Sequence, residues 1–307
     1  MSVTKPNQTF DIVIIGGGAA GGGVAASLLK RDKHLNIAII EPATKHYYQP
    51  AWTLVGAGEF DIAKSERNMA DCIPSGATWL QAAATDFEPE NSLVQTDKLG
   101  AISYQQLIVA AGLKIDWQAI KGLAETLGKN GVTSKNYRFD LAPYTWQLVQ
   151  NLKSGKALFT QPPMPIKCAG APQKAMYLSC SHWEHEAALK NIVVDFNNAG
   201  AVLFGVKEYV APLMEYIKRY NANLSFNSTL VEVGGANKKA WFNVKDADDN
   251  VTRVEKVFDM LHVVPPQSAP DFIKQSPLAN ADGWVDVNQA TLQHNKFANI
   301  FSLGDVC

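Results

Sequence analysis

Short apolar runs, each closed by glycine or by an acidic residue, punctuate the chain. Residues 10–15 (FDIVII) are apolar almost throughout and stop at Gly16, the pattern of a parallel strand buried on both faces. Beyond the glycines of 16–23, Val24, Ala25, Ala26, Leu28 and Leu29 fall at helical spacing. Residues 37–40 (IAII) then make a second strand before Glu41 and Pro42. This order predicts a strand–helix–strand unit of about thirty residues. Residues 106–110 (QLIVA) read as another buried strand, ended by Ala111-Gly112.

A second alternation starts near Lys156. Residues 157–159 and 192–196 read as strands, 172–186 and 207–219 as helices. The period then changes to two: 241–244 (WFNV) and 251–257 (VTRVEKV), joined by a turn over 246–250, predict an antiparallel hairpin. Pro265-Pro266 breaks the pattern, and 299–303 (NIFSL) is a last strand ending in Gly304-Asp305. The expectation is an α/β protein with two Rossmann-like domains of the dinucleotide-binding type. Residues 1–115 and 268–307 are expected to form the first domain and 116–267 the second, the last strand returning to the first.

Composition narrows the function. With 28 Lys+Arg against 29 Asp+Glu and no long basic run, the chain has no stripe for nucleic-acid phosphates. Charged residues at 19% and aromatics at 9% exclude disorder. No run of 18 apolar residues offers a membrane span, and the first ten residues hold no apolar leader, so a cytoplasmic protein is expected. Four cysteines, at 72, 168, 180 and 307, without a C-x-x-C pair, give neither a disulfide framework nor a zinc ribbon.

Residues 16–21 (GGGAAG) fit G-x-G-x-x-G between a strand and a helix, with Glu41 at the end of the next strand. Gly16 would make the tight turn, Gly18 would let a pyrophosphate approach the backbone, and Gly21 would let helix pack on strand. Ala19 and Ala20 open the helix, whose free N–H groups favour the diphosphate. Glu41 would accept from a ribose hydroxyl and repel a 2′-phosphate, favouring FAD or NAD over NADP. Gly22 and Gly23, costly inside a helix, suggest crowding at this turn. In the second domain, 197–201 (NNAGA) after the strand at 192–196 supplies no second fingerprint, so one dinucleotide is expected and NAD(P)H is not the electron source.

Residues 162–174 (PPMPIKCAGAPQK) are the most unusual in the chain. The prolines predict a stiff polyproline II approach, and Pro172 suits a first helical turn. Cys168 would then sit just ahead of a helix N-terminus, with Lys167 and Lys174 nearby, a setting that favours thiolate. Cys180 and Cys72 read as packing residues. His182 and His185, three apart on a helix, lack a third ligand, so no metal site is expected.

Taken together, 16–21 with Glu41, 46–58 (HYYQPAWTLVGAG), 166–178 (IKCAGAPQKAMYL), 261–266 (LHVVPP), 283–287 (GWVDV) and Gly304-Asp305 resemble the sulfide:quinone oxidoreductases, in the branch that includes the mitochondrial enzyme. The resemblance implies a flavoprotein of the FAD/NAD(P)-linked reductase superfamily, with FAD in the first domain. It places Gln49, Ala84, Gly112 and Asp305 against FAD beside the glycine loop. It makes Cys168 a redox cysteine next to the flavin, paired with a second cysteine well beyond Gly304-Asp305. Lys174, close to Cys168 in sequence, is the candidate for stabilising anionic intermediates. Hydrogen sulfide, a quinone and a small-molecule sulfur acceptor are the implied partners. The family continues past the position of Cys307 with the second redox cysteine and membrane-binding helices. The chain is therefore expected to be truncated, unable to turn over by the normal route, and in full-length form peripheral on the inner face of the cell membrane. The rival readings are an NADH:quinone reductase of related architecture and a non-catalytic FAD-binding remnant.

Overall fold

The structure, a computed structural model, describes residues 8–307; the expectation about the first ten residues falls mostly outside them. The chain forms two compact units. One takes the chain up to His46, then Glu66–Lys114 and Ser268–Cys307; the other takes Tyr47–Ser65 and Ile115–Gln267.

In the first unit β1 (Gln8–Ile15) leads through α1 (Ala19–Arg31) to β2 (Ile37–Ile40) and β3 (Ala77–Leu80), and β4 (Ala84–Glu88), β5 (Leu93–Thr96) and β6 (Gly100–Val109) follow. The sheet runs β3-β2-β1-β6-β5-β4, with Ile300–Ser302 also pairing β6. β1 pairs in parallel with β2 and with β6, and Ile300–Ser302 is parallel to β6. The unbroken apolar run of β1 has its reason in two cores. Val13 and Ile15 pack with Ala38, Ile40, Leu107 and Val109 on one face. Ile12 and Ile14 pack with Ile37, Ile39 and Ala25 on the other. The β4–β5 hairpin continues antiparallel from β6 and escaped the sequence reading, because its half-exposed strands carry no apolar run.

The second unit contains β7 (Val132–Thr133), α2 (Leu141–Asn151), β8 (Gly155–Gln161), α3 (Ala171–His185), β9 (Ile192–Asn198), α4 (Val210–Arg219) and β10 (Asn223–Ser225). It continues with β11 (Ser228–Gly234), β12 (Lys239–Lys245), β13 (Val251–Val257) and β14 (Met260–His262). A parallel sheet of order β7-β14-β8-β9-β10 stands beside an antiparallel β11-β12-β13 sheet. The expected hairpin is thus β12–β13 of a three-stranded sheet.

Residues 47–65, expected in the first domain, belong to the second unit. Trp52 and Val55 bury against Ala142, with Phe60, Ile62 and Phe139 packed around them, and Trp52 Nε1 donates to Ser65 Oγ at 3.1 Å. Apolar burial against α2 outweighs adjacency in sequence to Glu41. The proline segment is not a continuous polyproline II stretch either: its Met164–Pro165 bond is cis, and 167–170 turn into α3.

Candidate functional site

In the first unit the glycine loop has the shape its sequence asks for. Gly16 has φ +103°, and an added Cβ there would run into the Ala110 carbonyl. A Cβ at Gly21 would collide with Gly16 O, so the third glycine is what lets α1 lie on β1. At Gly18, the N-cap of α1, a Cβ would point into space with no protein atom within 4 Å. That opening and a first turn free of acidic residues suit a diphosphate. Crowding, however, does not explain the next two glycines. A Cβ at Gly22 would stand 3.8 Å from its nearest neighbour, and one at Gly23 would meet nothing.

Glu41 braces the loop. Its Oε2 accepts from Gly17 N at 2.9 Å and its Oε1 from Ala43 N at 2.8 Å, while Trp79 Nε1 holds its carbonyl at 2.9 Å. A carboxylate has about four acceptor positions, so two stay open for ribose hydroxyls. Gly304, at φ +86°, comes so close to α1 that its added Cβ would stand 2.9 Å from Ala20 Cβ, which brings Gly304-Asp305 to the loop. Gly112 follows the Ala110 carbonyl that faces Gly16 and has φ +68°. Ala84 opens β4 opposite Thr96 and packs on the core.

The remaining candidates lie in the second unit. Cys168 is exposed, sits in a left-handed turn at φ +59° and gives its carbonyl to Ala171 N at 2.7 Å, at the start of α3. Lys174, one turn into α3, places Nζ 3.6 Å from Cys168 Sγ. The loop stands where a Rossmann phosphate loop would follow β8, the strand that leads through α3 to β9; residues 162–170 fill that place without G-x-G-x-x-G. The end of β9, where the sequence reading looked, is a side-chain turn in which Asn198 binds Gly200 N and Val202 O. An apolar groove of about 540 Å³ opens beside Cys168 and Lys174, walled by Tyr177, Phe204, Tyr209, Leu213 and Tyr216.

Gln49 is committed at both ends: Nε2 donates to Asn136 O at 2.6 Å, and Oε1 accepts from Lys167 Nζ at 2.7 Å. Behind it lies a group that sequence reasoning missed. Lys135 is fully buried and donates from Nζ to Thr53 O at 3.1 Å. Its backbone N–H donates to Nε2 of His262, also fully buried, at 3.2 Å. Burial, reinforced by the Lys174 charge, pulls the Lys135 ammonium down to about 7. Burial and the Lys135 charge pull His262 to about 3. Nothing in the polar stretch 134–140 signals this burial; it comes from residues 47–65 closing over it. Cys180 packs in the core behind α3, its thiol pushed up by burial to about 12. His182 stacks edge-on to Trp146, and among the described residues no cluster suits a metal.

Comparison with known proteins shows what these features are similar to. Residues 10–160 match the pyridine nucleotide-disulphide oxidoreductase family. The mitochondrial sulfide:quinone oxidoreductase of Mus musculus is 40% identical over 296 residues, covering 96% of this chain and 65% of that protein. Its counterpart from Dictyostelium discoideum is 44% identical over 297 residues, covering 96% and 64%. Over nearly its whole length the chain is thus similar to sulfide:quinone oxidoreductases. It spans just under two thirds of the length of these curated relatives. The solved sulfide:quinone oxidoreductase of Aquifex aeolicus shares the fold, with a TM-score of 0.81 at 20% identity over 97% of this chain and 68% of that one. Sulfide:quinone oxidoreductases and the wider family are FAD-binding flavoproteins, and the first unit fits that group through the open Gly18 position and the braced Glu41. In this chain no helix among the described residues is long and apolar enough to cross a membrane.

Proposed function

We propose that this chain carries the FAD-binding part and one redox cysteine of a sulfide:quinone oxidoreductase. The reading rests on Cys168, exposed in a left-handed turn with the Lys174 ammonium 3.6 Å from its sulfur, in a chain 40% identical to an enzyme of that name. Gly16, Gly18, Ala19, Ala20 and Gly21 would hold the pyrophosphate, Glu41 a ribose, and Gln49, Ala84, Gly112 and Asp305 other parts of FAD. Hydrosulfide attacks a disulfide that includes Cys168: a bond from HS to one sulfur forms, the S–S bond breaks, and the other sulfur leaves as thiolate. Lys174 offers a charged donor to the anionic sulfur. A thiolate or similar acceptor then removes the sulfane sulfur and leaves two cysteine thiolates. Re-forming their S–S bond releases an electron pair, which bound FAD would be the group to accept, with a quinone as the final acceptor. Because quinones partition into lipid, the protein would work peripherally, on the inner face of the cell membrane.

Anaerobic titration of the FAD-loaded natural protein tests this. Sulfide should bleach the flavin and NADH should leave it oxidised, and Cys168→Ser should abolish the sulfide effect. Bleaching by NADH would move the assignment to an NADH:quinone reductase; no response to either would leave a non-catalytic FAD-binding protein.

A further inference from the structure

The sulfur exchange proposed above gives the apolar groove beside Cys168 no task, yet two helix faces combine to make it. Gln173, Lys174 and Tyr177 fall on one face of α3, and Leu213 and Tyr216 on one face of α4. Tyr177 Oη donates to Leu213 O at 3.3 Å, which ties the two helices together at the groove. The Tyr177 ring meets that of Tyr216 edge-on, with centroids 6.1 Å apart, and Phe204 and Tyr209 form a second pair at 6.3 Å. All four rings line the groove, and Tyr209 and Tyr216 are 58% and 47% exposed. Contiguous apolar surface of this kind marks a binding site. Two polar side chains of α3 line it as well. Lys174 Nζ stands 3.6 Å from Cys168 Sγ, which also borders the groove. Gln173, almost fully buried, commits Nε2 to Leu203 O and keeps Oε1 buried without a protein partner.

A molecule lying in this groove rests its body on aromatic rings and presents its end to a cysteine sulfur and an ammonium. We infer that the groove binds a small organic thiol with an apolar body, the sulfur acceptor of the exchange proposed above. Lys174 is the charge that draws in its thiolate, and Gln173 Oε1 can accept from one amide or hydroxyl on the ligand. The thiolate attacks a sulfane sulfur carried on Cys168. A bond forms between the two outer sulfurs, the bond from the sulfane sulfur to Cys168 breaks, and Cys168 leaves as thiolate. The product is the acceptor's persulfide, and no outside oxidant or reductant takes part. The acceptor role rests on the sulfide reading; the groove's preference for apolar bodies does not.

The test labels Cys168 in the reduced natural protein with N-methyl-, N-ethyl-, N-propyl- and N-butylmaleimide, read by peptide mass spectrometry with Cys72 as internal reference. A buried methylene is worth up to about fourfold, so labelling should quicken by about five- to fifteenfold from ethyl to butyl, with no such trend at Cys72. Tyr209→Ser and Tyr216→Ser, both at exposed positions, should flatten the trend and leave labelling by iodoacetamide, which has no apolar body, unchanged. In steady-state assays with sulfide and a quinone, kcat/KM for ethanethiol, propanethiol and butanethiol as sulfur acceptors should climb in the same way. Labelling that is flat with chain length, or a trend that survives in both variants, would overturn the groove. A maleimide trend beside a flat acceptor series would overturn the acceptor role. Loss of all sulfide turnover would strike the exchange and the acceptor role with it, while the maleimide trend decides the groove by itself.

Discussion

Replacing Lys135 with methionine removes a buried charge while keeping the length of the side chain. The folded ammonium titrates at about 7 against an ordinary 10.5. Between those values the unfolded chain binds more protons than the folded one, so native stability rises with pH by about 1.4 kcal/mol per pH unit from this group. Below about pH 7 both states hold the proton and the whole penalty stands. It comes to three and a half pH units at about 1.4 kcal/mol each, about 5 kcal/mol. Above about 10.5 neither state is charged and the penalty is gone. Methionine escapes it but leaves Thr53 O without its donor, a cost of about 1–2 kcal/mol. The variant should therefore be about 3 kcal/mol more stable than the native protein at pH 6. Its advantage should shrink as pH rises and cross zero between about pH 9 and pH 10. Urea unfolding of both proteins from pH 6 to pH 10 measures the difference directly. A variant less stable than native at pH 6, or a difference that stays constant with pH, would refute the buried-cation argument.

Gly18→Val should abolish flavin binding while the fold survives, since its side chain points where no protein atom stands; loss of the thermal transition along with the yellow colour would show a structural role instead. Gly23→Ala should raise stability by about 0.5–1 kcal/mol, because nothing lies within 4 Å of the added Cβ; a lower urea midpoint would mean that α1 is crowded there after all. Iodoacetamide near pH 7.5 should label exposed Cys168 before Cys180, which is buried and whose thiol is pushed up to about 12; equal labelling of the two in native protein would contradict the packing of α3. On acidification, His262 should cost stability by about 1.4 kcal/mol per pH unit between about 6.5 and 3, where the unfolded imidazole is protonated and the folded one is not. His262→Gln should flatten that part of the acid-unfolding curve.

The strands and the glycine loop could be read from the chain because their signals are local. Residues 10–15 must be apolar throughout to face two cores, and Gly16, Gly18 and Gly21 meet constraints set within one strand–helix turn. Cys168 stood out for the same reason, since the start of α3 and Lys174 lie within six residues of it in sequence. Three other matters were settled only by distant parts of the chain meeting. Residues 47–65 join the second unit because Trp52 finds its apolar partners on and beside α2, about ninety residues away. Glu41 braces Gly17 through a hydrogen bond that exists only once β1 and β2 pair. Lys135, in a stretch as polar as any surface loop, loses its water because Thr53 and Gly56 close over it. Burial depends on which surfaces meet, and no window of neighbouring residues records that. Tertiary structure therefore decided the burial of the lysine, while local spacing alone announced the glycine loop and singled out Cys168.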